Sequence, residues 1–268
     1  MINASKRTIS FVLIGLVIIL LVSFAKSHTN IGRKNEKAQL ELKEVSDITI
    51  KAESADILIK ATDRSDILIE SRKAKGIETE MAENEVFISQ KKSIFGGGFL
   101  YIELPKDKTK SLSLTNSTGD VDVAGIEAES IFISLTTGDV NLLSSSSDLI
   151  SLSLVSGDVN VDDTDSPKQS YCLTTGDLSL SCCDADTIEV SILTGDFESY
   201  GTFFNTATID IATGDVDIQS EKEDIAVQYN KDGLGGSVEI FGKEHSQKES
   251  SSRNLVVNQK IGDLRVYK

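Results

Sequence analysis

One four-residue phrase returns along the middle of the chain at a fixed interval, and few architectures other than a stack of like coils satisfy that interval. It reads TGDV at Thr118 and Thr137, SGDV at Ser156, TGDL at Thr175, TGDF at Thr194 and TGDV at Thr213. The glycines are Gly119, Gly138, Gly157, Gly176, Gly195 and Gly214, each 19 residues after the last. A fixed period of about 20 residues marks a repeat architecture.

The residues around each glycine say what is being repeated. Five positions before it stand Leu114, Ile133, Leu152, Tyr171, Val190 and Ile209. Three before it stand Asn116, Leu135, Leu154, Leu173, Ile192 and Ile211. Two after it come Val121, Val140, Val159, Leu178, Phe197 and Val216, and four after it Val123, Leu142, Val161, Leu180, Ser199 and Ile218. Ser, Thr, Asp and Asn fill most of the gaps. This period-2 alternation on both sides of the glycine predicts two short strands around a bend in every repeat. A helix has no 3.6-residue stripe to use here. Three or four apolar residues make no core alone, so each coil must bury its apolar columns against its neighbours. The expected fold is therefore all-β, a parallel β-solenoid of about 19 residues per coil. Glycine suits a bend that needs positive φ, and the Thr or Ser before it and the Asp after it can bond local amides.

The repeat sits inside a longer plan. Residues 1–8 form a short lead with Lys6 and Arg7, and residues 9–25 are apolar apart from Ser10, Gly15 and Ser23. As a helix that segment is about 25 Å long, a little short of a hydrocarbon core of about 30 Å. It reads as an N-terminal transmembrane anchor, or as a secretory signal cut after Ala25. Residues 26–44 read as a polar linker, with a helical turn near 36–43, and residues 45–268 as the β-solenoid domain. In the first part of that domain, Asp47, Asp56 and Asp66 open short β phrases, and Val86 and Ile88 lie 19 residues beyond Ile67 and Ile69. Residues 93–104, with Gly96, Gly97 and Gly98, break the register. Beyond the ladder Gly233 keeps the 19-residue spacing from Gly214, and residues 242–253 read as a loop before closing strands.

Evenly spaced T/S-G-D-V phrases behind an N-terminal apolar segment resemble a bacterial domain-of-unknown-function family known as "putative adhesin", which includes LiaG-like membrane-anchored proteins. The resemblance spans roughly residues 45–267. It implies a right-handed solenoid on the outer side of the membrane and a link to envelope stress or surface interaction. It brings no catalytic residues with it. The register break and the cysteine-bearing coil have no counterpart in the pattern.

Charge and chemistry narrow the function. The net charge is −15, and residues 111–218 hold 19 acidic residues against one basic residue, Lys168. Such a surface repels nucleic acid and attracts cations or cationic peptides. Lyase chemistry on acidic polysaccharides needs a base and cations; His28 and His245 lie in linker and loop, and no catalytic set or cofactor site is expected. The metal candidates are the stacked carboxylates Asp120, Asp139, Asp158, Asp177, Asp196 and Asp215, about 5 Å apart in a parallel sheet. The run Asp158-Val159-Asn160-Val161-Asp162 imitates the start of a calcium loop but lacks its later Gly and Glu. The cysteines, Cys172, Cys182 and Cys183, form no C-x-x-C pair and fall at outward and turn positions, with a bridge from Cys172 to either neighbour left open. Flat Ser/Thr files such as Ser134, Ser153 and Ser191 suggest an ice-binding face, but the acidic residues Glu189 and Asp210 interrupt such files. The expectation is a non-enzymatic binding or scaffolding protein, anchored in the cell membrane by its N-terminal helix with the solenoid extracytoplasmic. Its partner would be a protein or a wall polymer; a calcium-dependent binder or adhesin is the alternative, and a polysaccharide-active β-helix enzyme a more distant one.

Overall fold

The computed structural model describes residues 29–31, 35–41, 46–74, 76–82, 84–91, 97–221, 223–231, 233, 236–244 and 251–268. The expected lead, the 9–25 anchor and the Ala25 cleavage point lie outside the described residues. Every regular element among the described residues is a β-strand.

The strands fall into four groups along the chain. An N-terminal arm holds β1 (Thr29–Ile31) and β2 (Asn35–Glu41). An irregular group follows: β3 (Ser46–Ala52), β4 (Ala55–Thr62), β5 (Asp66–Arg72), β6 (Ile77–Ala82), β7 (Glu85–Gln90) and β8 (Gly98–Pro105). The repeats then alternate long and short strands: β9 (Thr109–Thr118), β10 (Val121–Ala124), β11 (Glu127–Thr137), β12 (Val140–Leu143), β13 (Ser146–Ser156), β14 (Val159–Asp162), β15 (Lys168–Thr175), β16 (Leu178–Ser181), β17 (Asp184–Thr194), β18 (Phe197–Tyr200), β19 (Phe203–Thr213) and β20 (Val216–Gln219). The closing group is β21 (Ile225–Lys231), β22 (Val238–Ile240), β23 (Lys243–Glu244), β24 (Arg253–Ile261) and β25 (Leu264–Tyr267).

Two facing sheets result, one of 12 strands and one of 13. The long strands of the repeats stack in the first sheet and the short strands in the second. Within the ladder every pairing is parallel, and each partner lies 19 residues on: Ile133 pairs with Leu152, Leu152 with Tyr171, Val140 with Val159. The four apolar columns read from the sequence all point inward and are buried. A fifth, Leu112, Ile131, Ile150, Gln169, Ile188 and Ala207, completes the filling of the first sheet's inner face. The architecture is a parallel-dominated β-solenoid with one continuous core.

Four expectations are corrected. First, the stretch 36–43, read as a helical turn, contains β2, which runs antiparallel to β5 with Ala38 opposite Ile69 and Leu40 opposite Ile67. Alternating Ala38 and Leu40 lie partly buried against the core, which strand pairing permits and a lone turn does not. Second, the 19-residue step from Ile67 to Val86 brings nothing together, because β5 and β7 lie in different sheets. β5 instead pairs antiparallel with β8. Third, the 19-residue spacing from Gly214 to Gly233 is not used: the glycine seated on Gly214 is Gly262. Fourth, Arg253, assigned to a loop by sequence, opens β24 and is buried.

Candidate functional site

Each repeat has two corners, and both are built by backbone rules. At the first, Gly157 has φ of +136°, and a Cβ there would stand 1.9 Å from the Gly138 carbonyl oxygen. Coils pass so close at this bend that only glycine fits. The Gly157 amide donates to Thr175 O, and Val159 N to Asp177 O, so the bend is hydrogen-bonded to the next coil. The second corner carries another left-handed column, Gly125, Ser144, Asp163, Cys182 and Gly201, with φ between +46° and +70°. The residue after each is buried: Ile126, Ser145, Thr164, Cys183, Thr202. Ser145, Thr164, Cys183 and Thr202 each donate from a hydroxyl or thiol to the carbonyl two residues back.

The candidate metal residues have a different occupation from the local bonding the sequence suggests. Asp120 Oδ1 accepts the Asp139 amide at 3.0 Å, Asp139 that of Asp158 at 2.9 Å, and Asp158 that of Asp177 at 2.9 Å. Asp177 accepts from Asp196 at 2.8 Å, Asp196 from Asp215 at 2.7 Å, and Asp215 from Asp263 at 2.7 Å. Asp56 begins the file and Asp263 ends it by accepting from Ser237 N. One carboxylate oxygen per coil therefore ties that coil to the next, which offsets the repulsion of stacked like charges. Sequence reading missed Asp56 and Asp263 because neither keeps the 19-residue interval. The calcium-loop imitation dissolves in the same way: Val159 and Val161 are core, and Asn160 donates to Asn141 Oδ1. Among the described residues no cluster of three His, Cys, Asp or Glu side chains has metal-site geometry. His28 and His245 lie outside the described residues.

Amide side chains replace the apolar column at the first and last bends of the glycine file. Asn116 Nδ2 donates to Ala55 O and Gly119 O at the first bend, and Gln259 Nε2 to Gly214 O and Asp263 O at the last. All three cysteines are free thiols. Cys172 and Cys182 are exposed; Cys183 is buried, and burial pushes its pKa up to about 11. The pKa of Tyr171, wholly enclosed and donating to Gln169 Oε1, is raised well above the ordinary value by the same cause.

Two shallow features lie on the outer surface of the described residues. One is an open groove of about 490 Å³ where the long strands begin, with Glu127, Asp148, Asp165, Asp184 and Asp186 along it. Pro167 makes it: a residue with no amide proton shortens β15, and its carbonyl instead takes the amides of Asp186 and Thr187. The other, of about 370 Å³, lies beside Cys172, Leu193, Asp210, Asn258 and Lys260. Here the outward file that begins with Ser134 and Ser153 ends in a chain of side-chain bonds, Asn230 to Asn258 to Asp210.

A sequence-family model describing the Toastrack DUF4097 fold matches residues 45–266. The chain belongs to the Toastrack DUF4097 family. The match runs from the start of the irregular group into the last strand. Among solved structures, one described as a "putative lipid binding protein" from Parabacteroides distasonis is similar over 88% of this chain and 100% of its own, at 15% identity and a TM-score of 0.57. A "putative adhesin" from the same species covers 87% and 97% at 11% identity, with a TM-score of 0.59. Another from Parabacteroides merdae covers 87% and 95% at 13% identity, with a TM-score of 0.55. At these identities the Toastrack likeness is one of fold. No curated protein matches the chain.

Proposed function

We propose that this Toastrack protein is a non-enzymatic binding or scaffolding rod of the bacterial cell envelope, held to the membrane by residues 9–25 with the solenoid on the outer side. The observation that carries the reading is a rigid shaft whose exposed faces repeat every coil and are strongly acidic. Hydrogen bonds lock its bends from Asp56 to Ser237, which suits a surface that presents the same groups many times. The side chains that could do chemistry serve other ends: the Asp file binds backbone, and Cys183 and Tyr171 are enclosed. The fold-level neighbours described as adhesins or as a lipid-binding protein support a binding role. Envelope-stress sensing is the narrower form of the proposal. Its partner would be a membrane or wall component of positive or mixed charge, or a protein of a sensing system.

Photo-cross-linking from outward positions such as Ser153 and Ser191 in intact cells tests this directly. Recovery of an envelope protein or a wall polymer supports the reading. Crosslinks solely to cytoplasmic proteins, or protease protection of the solenoid in whole cells whose wall has been removed, would overturn the outward placement.

A further inference from the structure

The order of strands and the order of residues part company at the C-terminal end. β21 and β22 follow β19 and β20 in sequence, joined by residues 220–224, yet they are not neighbours in either sheet. β24 lies between β19 and β21, and β25 lies between β20 and β22, parallel on both sides. The last coil is thus a wedge between two coils adjacent in sequence. It continues the ladder: Asp263 N donates to Asp215 Oδ1, and Asp263 Oδ1 accepts from Ser237 N.

Arg253 anchors this wedge at its first residue. Its side chain is 6% exposed. Nε donates to Phe204 O at 2.8 Å, Nη2 to Thr202 O at 3.4 Å, and Nη1 to Ser220 Oγ at 3.1 Å and Asp224 Oδ1 at 3.2 Å. The guanidinium also lies 4.8 Å from the Phe203 ring centre and 4.6 Å from that of Phe204. Ser220 and Asp224 belong to the link that joins the two walls. A second bond, from Ser251 Oγ to Asp224 O, starts the segment just before the anchor. The slot therefore recognises an extended segment in two ways, by backbone pairing along both edges and by a fitted pocket for one planar cation.

We propose that the slot between β19–β20 and β21–β22 is a binding site for a β24–β25-type segment, filled by the chain's own C-terminus and open to the same segment of a second copy. Exchange of this coil between two chains keeps every backbone pair and every Arg253 contact, which is the condition for reciprocal domain swapping. The specificity comes from Arg253 in its pocket, from inward Leu255, Val257, Leu264 and Val266, and from Gln259 on the Gly214 carbonyl.

The test adds a fluorescent synthetic peptide spanning residues 251–268 to the purified full-length chain and follows anisotropy and co-elution. Uptake at one peptide per chain is expected, faster as the temperature approaches the melting midpoint. An Arg253→Ala peptide should be taken up about tenfold less or worse, in line with loss of charged hydrogen bonds from a buried site. An Arg253→Lys peptide keeps the charge and loses the fork; weak uptake supports the pocket, whereas equal uptake of all three means mere attraction to an acidic rod and overturns the proposal. No uptake by folded chain overturns it as well. Two differently tagged full-length chains, warmed together and cooled, should yield mixed dimers, and their absence removes the second-copy part.

Discussion

At the level of single residues, the repeated phrase divides its work between steric and electrostatic demands. Glycine is required because the preceding coil's carbonyl occupies the place of a Cβ, and Asp is required because its carboxylate ties one coil's bend to the next. Gly157→Val should cost about 3–5 kcal/mol and show as a large fall in melting temperature by circular dichroism. At the other corner Cys182 holds a left-handed conformation that Gly125 and Gly201 fill without strain. Cys182→Gly should therefore stabilise the fold by about 0.5–1 kcal/mol, the relief of strain exceeding glycine's added unfolded-state entropy; a lower denaturation midpoint would contradict it. Cys183 gives a pH signature. Its folded pKa of about 11 exceeds the ordinary thiol value of 9.0, so the unfolded chain loses this proton first. Stability is fully present below about pH 9 and declines as pH rises toward 11. Cys183→Thr, matching Thr164 and Thr202 in its column, should flatten that decline in urea titrations run across the window.

Whole strands behave as a stack in which no coil owns its core. β13 buries Ile150, Leu152 and Leu154 between the equivalent residues of β11 and β15. Leu154→Asp places a charge among these layers, where no described basic group pairs with the column, and should unfold the domain or cost more than about 4 kcal/mol. An unchanged urea midpoint would end the stacked-column account. The strands outside the ladder obey pairing rules that a periodicity cannot express. β5 runs antiparallel to its neighbours, and β24 enters between coils that the chain laid down earlier. The sequences of β5 and β24 carry the alternation that makes them strands, which is why both are legible as elements, whereas charged β2 reads as a helical turn. The partners of β5 and β24 are not legible, because a period-2 pattern fits any sheet edge with a free apolar face.

For the whole molecule the dominant long-range term is charge. The segment 111–218 stacks acidic coils about 4.8 Å apart with one cation among them. Raising ionic strength from about 10 mM to 500 mM shortens the screening length from roughly 30 Å to a few Å and should raise the melting temperature; a flat or falling response would mean that the hydrogen-bonded carboxylates no longer repel. The amino-acid order alone determined the shaft: a bend at each glycine, apolar files at four fixed offsets, and hence parallel layers with acidic outer faces, because a strict interval leaves one register in which like side chains meet. Two things waited for the tertiary structure. One was the bonding of the Asp file, since an amide 19 residues away becomes a neighbour only after the coils are stacked. The other was the joining of the regular ladder to its flanking groups, where Asn116, Gln259 and buried Arg253 donate to backbone carbonyls of neighbouring coils. Those contacts join residues up to 61 apart at no common spacing, and the physical reason they form is that a backbone carbonyl enclosed between coils needs a donor wherever the regular repeat gives way.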